Sequence, residues 1–148
     1  MTEQLSPLAL QALAVVKESG AIIGANHAHP HTIRHKGRID LVTETDIAVE
    51  AFLKERLATL APQAGFLAEE SAEDLSLPDT CWIIDPVDGT TNFAHGLPLT
   101  VTSVAYRLNG EIVLGIVNAP LLRECFIAEK GKGAWRNGER ISVSSVTA

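Results

Sequence analysis

LTVTSVAYRLNGEIVLGIVNAP, residues 99–120, decides the fold class. Two extended runs, LTVTSVAYRL and EIVLGIVNAP, flank Asn109-Gly110. Both of these turn residues adopt positive φ readily, so the pair favours a tight hairpin turn between antiparallel strands. Asn137-Gly138 repeats the signal further on, and GFLAEE, CWIID, RECFIAEK and RISVS read as further extended segments. The sheet should be largely antiparallel. Upstream the pattern is helical. Ser6 followed by Pro7 is an N-cap and first-turn signal, and Leu8, Ala9, Ala12, Leu13, Val16 and Ile23 recur at mostly helical spacing. This predicts a helix from about Pro7 to the low twenties. A second helix should begin near Thr43, where Thr43 and Asp46 have capping-box spacing, and carry Val49, Phe52, Leu53, Leu57 and Leu60 as one apolar stripe before Pro62. Helices first and a meander afterwards give an α+β fold, with two helices covering one face of the sheet.

The bulk properties exclude more than they assert. A chain of 148 residues, 46% hydrophobic and 20% charged, suits one domain that buries roughly 70% of the surface its unfolded form exposes. A net charge of -6 argues against direct nucleic-acid binding, because phosphate backbones are held by clustered Lys and Arg. Any anionic substrate needs a local positive charge. Cys81 and Cys125 lie in apolar surroundings without CxxC spacing, which reads as buried free thiols in a reducing cytoplasm. No uncharged apolar run approaches the ~18 residues of a membrane span, and no basic region opens a leader, so no membrane partner is expected.

Chemistry concentrates in WIIDPVDGTTNF, residues 82–93. Asp85 ends an apolar strand, Pro86 fixes φ, and Gly89 allows a sharp bend, so the carboxylates of Asp85 and Asp88 can converge with the Val87 carbonyl between them. Two acids held close repel one another and call for a cation or several donors. These are hard oxygen ligands with no His or Cys beside them, which suits Mg²⁺. Glu69 or Glu70, ending another predicted strand, could complete the set. A lone D-x-x-D in a turn is more often a solvated loop capping its own N–H groups. Here Gly89, Thr90 and Thr91 resemble the start of a short helix, whose free N–H groups could receive a phosphate. An EF-hand loop is excluded, because the twelfth position from Asp85 is Gly96. The D-x-D-G-T of aspartyl-phosphate phosphatases is excluded as well, since this turn has one residue more.

Taken together, DLVTETD from Asp40, AEES from Ala68, WIIDPVDGTTNFAHGLP from Trp82 and GKGAWRNGERISVS from Gly131 resemble the inositol monophosphatase family of Mg²⁺-dependent, lithium-sensitive phosphatases. The resemblance implies the N-terminal half of the α-β-α-β-α layered fold shared with fructose-1,6-bisphosphatase. It implies Glu69, Asp85, Asp88 and the Val87 carbonyl as metal ligands. Thr90 and Asp46 would orient the attacking water, with Glu69 counted among the catalytic set, while the Gly89 and Thr90 N–H groups would receive the phosphate. One Mg²⁺ would activate water and a second would stabilise the leaving alkoxide, without a covalent intermediate. The implied partner is a small-molecule phosphate monoester, and the implied assembly a homodimer. TNF after D-G-T resembles the inositol monophosphatase type, whereas relatives acting on histidinol phosphate or phosphoadenosine phosphates usually carry a basic residue there.

Two departures stand out. The family continues past the equivalent of Ala148 into a second α/β domain, whose aspartate ligates metal and which is absent from this chain. Ala68 also stands where glycine is usual before E-E-S. NHAHPHTIRHK holds His27, His29, His31 and His35, which read as a solvated loop or edge strand more than a zinc site; the family places a mobile loop here, from which Lys36 could approach the metals or phosphate. His95, Lys130, Lys132, Arg136 and Arg140 read as solvated turn residues. The alternative to catalysis is a non-catalytic regulatory protein of the same family.

Overall fold

A computed structural model describes residues 4–27, 35–68 and 78–148, with backbone alone for 35–40. Helix α1 spans Pro7–His27. Ser6 caps it as the sequence predicts: its hydroxyl accepts from the Ala9 N–H at 3.2 Å and donates to Glu129 at 2.5 Å, while its own N–H donates to the same carboxylate at 2.8 Å. The cap therefore also ties the helix to a strand far along the chain.

Helix α2 spans His35–Leu60 and starts about two turns earlier than the Thr43 signal predicts. Thr43 and Asp46 lie inside it and form no capping box at its start. Between Arg38 and Leu60 the sequence has neither Gly nor Pro, so nothing local stops the helix from extending backwards. Thr45, wholly buried, donates its hydroxyl to the Leu41 carbonyl at 2.6 Å, the back-bond of a helix interior.

The strands are β1 (Gly65–Ala68), β2 (Cys81–Asp88), β3 (Val101–Leu108), β4 (Glu111–Ala119), β5 (Glu124–Glu129), β6 (Gly133–Arg136) and β7 (Glu139–Ile141). A five-residue helix α3, Thr90–Ala94, separates β2 from β3, and one 3-10 turn, Pro120–Leu122, separates β4 from β5. The seven strands form one sheet in chain order; β1 runs parallel to β2 and every other neighbouring pair is antiparallel. Asn109 and Gly110 have φ of 52° and 84°, and Asn137 and Gly138 of 48° and 82°, the positive pairs expected of both hairpins. Strand β6 is absent from the six extended runs read in the sequence, and β7 stops at Ile141 instead of continuing through RISVS.

Helices α1 and α2 pack together on one face of this sheet. Val49, Leu53 and Leu57 of α2 are fully buried, as are Ala9, Ala12, Val16 and Ile23 of α1. They meet Trp82, Ile84, Val104, Tyr106, Ile116 and Ile127, with the rings of Trp82 and Tyr106 4.5 Å apart. At Gly20 a Cβ would stand 2.8 Å from Asn118 Nδ2 and 2.9 Å from Pro120 Cβ, so glycine is what lets α1 sit this close to the end of β4. Among the described residues α1 is one helix long and apolar enough to cross a membrane by length and composition; here its apolar face is the inner layer of the core.

The opposite face is apolar yet partly open. Ile83, Ala105, Gly115, Ala128, Ala134 and Ile141 form one row across it, half-buried or exposed. Val117 and Ile141 keep 38% and 40% of their surface, and a cavity of about 260 Å³ opens between them and Phe126.

Candidate active site

The acidic turn is shaped by a register slip. Asp85 stands opposite Ser103 and Asp88 opposite Val101, so three steps along β2 match two along β3. In a regular strand, residues three apart point to opposite faces. The extra residue of the bulge cancels that, placing Asp85 and Asp88 on the same face, in the column continued by Ile83. This is the open face; Asp85 is half-buried and Asp88 exposed. From the core side the wholly buried Thr102 hydroxyl donates to the Pro86 carbonyl at 2.9 Å and pins the bulge. Val87 is 3% exposed with its side chain in the core, which leaves its backbone carbonyl as the group available to a ligand.

Gly89 follows at φ 90°, ψ 40°, and caps α3. A Cβ there would lie 2.6 Å from the Leu99 carbonyl oxygen, so both conformation and space demand glycine. Helix α3 forms as the sequence suggests. Phe93 N–H bonds the Gly89 carbonyl at 2.9 Å, buried Phe93 anchors the turn in the core, and Asn92 Nδ2 donates to Leu99 O at 2.9 Å. These contacts fix α3, and with it Thr90, two residues after Asp88.

Helix α2 brings the T-E-T-D element to the same place. Val42, Thr43, Thr90, Thr91, Ala94 and His95 line a cavity of about 280 Å³. Asp46, 7% exposed, lies about one helical turn beyond Thr43. Asn26 Nδ2 donates to Thr45 Oγ1 at 2.7 Å, linking the end of α1 to this segment, and the His27 ring lies 3.2 Å from the Gly96 carbonyl oxygen and 6.0 Å from the Phe93 ring.

Glu69, the third predicted carboxylate, lies outside the described residues, as do Glu70, His29, His31 and the side chains of His35 and Lys36. Ala68 pairs with Ile84, the neighbour of Asp85, and its φ is not positive, so alanine serves in place of the usual glycine. Among the described residues no three His, Cys, Asp or Glu side chains converge as a metal-ligand set. The donor set they do supply, two carboxylates on one face with a carbonyl between, is all hard oxygen and fits Mg²⁺.

The remaining candidates sort themselves by partner. His95 is exposed at the end of α3. Lys130 pairs with Glu111, Lys132 with Glu129 at 3.6 Å and Arg136 with Glu124 at 2.8 Å, while Arg140 lies over the Trp135 ring at 5.5 Å. Both cysteines are free and buried, and burial pushes each thiol pKa up. Sequence reasoning missed Thr102, Asn92 and Asn26, which hold the site without touching it. Only the T-V-T alternation hinted that Thr102 faces inward.

The family model described as the inositol monophosphatase family matches residues 4–148. An inositol monophosphatase of Dictyostelium discoideum is 48% identical over 139 residues, covering 91% of this chain and 51% of its own length. Nus factor SuhB of Salmonella typhimurium is 35% identical over 144 residues, 95% of this chain and 54% of its own. The crystal structure of extragenic suppressor protein suhB from Bartonella henselae superposes with a TM-score of 0.80 at 33% identity, over 95% of this chain and 55% of that one. The chain thus spans about half the length of the curated relatives it matches. Matched along nearly its whole length in sequence and in fold, it belongs to the inositol monophosphatase family.

Proposed function

We propose that this chain is the metal-binding half of a Mg²⁺-dependent phosphomonoesterase acting on inositol monophosphate or a similar sugar phosphate. The observation that carries the reading is the β2 bulge, which turns Asp85 and Asp88 to one face beside Gly89 and Thr90. Asp85, Asp88, the Val87 carbonyl and Glu69 would hold the metal. When bound, Mg²⁺ supplies a water of lowered pKa and positive charge for the leaving oxygen. The Gly89 and Thr90 N–H groups donate to the phosphate oxygens and orient it for in-line attack. The Thr90 hydroxyl, backed by Asp46, accepts a hydrogen bond from the attacking water and aims its lone pair. The TNF sequence after D-G-T supports an inositol-type substrate over histidinol phosphate or phosphoadenosine phosphates. A homodimer in a reducing cytoplasm completes the proposal; the two buried free thiols fit that compartment.

The test is calorimetric titration with Mg²⁺ of the chain and of Asp88→Asn, joined to a phosphate-release assay. The neutral amide is nearly isosteric but a poor ligand, so it should abolish the heat of binding and leave the circular dichroism spectrum unchanged. The 148-residue chain should bind Mg²⁺ weakly yet release phosphate negligibly, whereas its fusion to the remaining half of the Dictyostelium relative should turn over and be inhibited by lithium. Unchanged Mg²⁺ affinity in Asp88→Asn would overturn the metal assignment. A second reading, regulation without catalysis, draws on the relative named Nus factor SuhB. It predicts a fusion that binds Mg²⁺ but releases no phosphate.

A further inference from the structure

On the helix-covered side of the sheet, beyond the ends of β4 and β5, a cavity of about 420 Å³ is lined by Lys17, Asn118, Pro120, Arg123, Glu124, Cys125 and Asn137. It is separate from the acidic turn, whose carboxylates face the other side. Its floor is polar and buried: Asn118 is 5% exposed and stands directly opposite Cys125 across the β4–β5 ladder. Among the described residues no hydrogen bond occupies the Asn118 side chain, and its amide nitrogen sits where a Cβ on Gly20 would be 2.8 Å away. The Asn118 amide is little exposed yet lines the cavity, so a bound group can reach it as a hydrogen-bond donor.

The lining carries two cations, Lys17 and Arg123, and one acid, Glu124. Lys17 reaches over from α1, near enough to Cys125 that its ammonium opposes the rise that burial imposes on the thiol pKa. Arg123 stands on the far side, fixed at φ 55° by the 3-10 turn. Its N–H bonds the Pro120 carbonyl at 3.3 Å, and its carbonyl accepts from Asn137 Nδ2 at 3.1 Å. Asn137 is itself held, its Oδ1 accepting from the Cys125 N–H at 2.8 Å. Glu124 is the acid of the lining, and Arg136 already binds it at 2.8 Å. Neither Lys17 nor Arg123 is in an ion pair among the described residues, in a chain whose net charge is -6. Two cations outside any ion pair among the described residues and a little-exposed amide line one cavity whose single acid is already engaged by Arg136.

We propose that this cavity binds a small oxyanion, the phosphate or carboxylate group of a metabolite, with Lys17 and Arg123 as its counter-charges and Asn118 Nδ2 as a hydrogen-bond donor. The test is an NMR titration of the ¹⁵N-labelled chain at low ionic strength, with EDTA present so that no divalent cation recruits anions to the acidic turn. Inorganic phosphate and citrate are the two probes. Saturable shifts of the Asn118 side-chain amide and the Arg123 backbone N–H are expected with at least one probe, and the responding probe identifies the group. Lys17→Ala/Arg123→Ala, two exposed positions whose replacement leaves the core intact, should weaken that response at least tenfold. Asp88→Asn should leave it unchanged. No saturable shift with either probe, or a shift that survives the double substitution, would overturn the proposal.

Discussion

Gly89 is the residue on which the acidic turn depends most directly. Its φ of 90° and the Leu99 carbonyl 2.6 Å from any added Cβ mean that Gly89→Ala must strain the backbone and push the turn apart. A loss of about 2 kcal/mol or more is expected by urea denaturation, along with weakened Mg²⁺ binding. Thr90 is different, because its proposed work concerns the attacking water. In the family-length fusion, Thr90→Ala should lower kcat by roughly a hundredfold or more while leaving Mg²⁺ affinity within a few-fold. If kcat held and only metal affinity fell, Thr90 would be a ligand or a cap instead of a positioning group for water.

At the scale of elements, the clearest joint is between the start of α1 and the end of β5. Burial alone would raise the Glu129 carboxyl pKa, but the hydroxyl and N–H of Ser6 and the nearby Lys132 ammonium outweigh it and hold the group below the ordinary 4.5. A carboxylate depressed in the fold contributes stability above its unfolded pKa and loses it as pH falls through the folded value. The Ser6–Glu129 joint is thus complete at neutral pH and fades below 4.5. Ser6→Ala removes both the cap and one donor to Glu129, so it should cost about 1 kcal/mol near pH 7. The difference from the parent should shrink in acid, as read from urea midpoints at both pH values. A difference that grew in acid would reverse the assignment of Glu129 as the charged partner.

Across the whole molecule, the two faces of the sheet have unequal cover. One carries α1 and α2; the other presents Ile83, Ala105, Ala134, Val117 and Ile141, with the 260 Å³ cavity among them. A continuous apolar face of this kind drives association. The isolated chain should self-associate through it, and Val117→Asp should raise the sedimentation-derived dissociation constant by roughly tenfold, equivalent to about 1.4 kcal/mol. A monomeric parent chain, or a variant that associates as tightly as the parent, would remove this face as the contact.

What the sequence determined by itself was whatever local backbone chemistry controls. Asn-Gly pairs prefer positive φ wherever they occur, so both hairpins were legible. Ser6-Pro7 announced the start of α1, and the D-P-V-D-G-T-T string named the acids, the glycine and the short helix after them. The start of α2 was not legible, because Thr43 and Asp46 have the spacing of a cap while no Gly or Pro lies between Arg38 and Thr43 to halt the helix there. Strand β6 was missed for a related reason: GAWR has too few residues to show a period and becomes a strand through pairing with β5 and β7. The tertiary structure alone decided that Asp85 and Asp88 share a face, since residues three apart diverge until the ladder to β3 slips by one. It alone gathered Lys17, Asn118 and Arg123, more than a hundred positions apart at the extremes, around one cavity. Spacing along a chain encodes local geometry, whereas strand register and helix approach are set by partners that the local sequence does not contain.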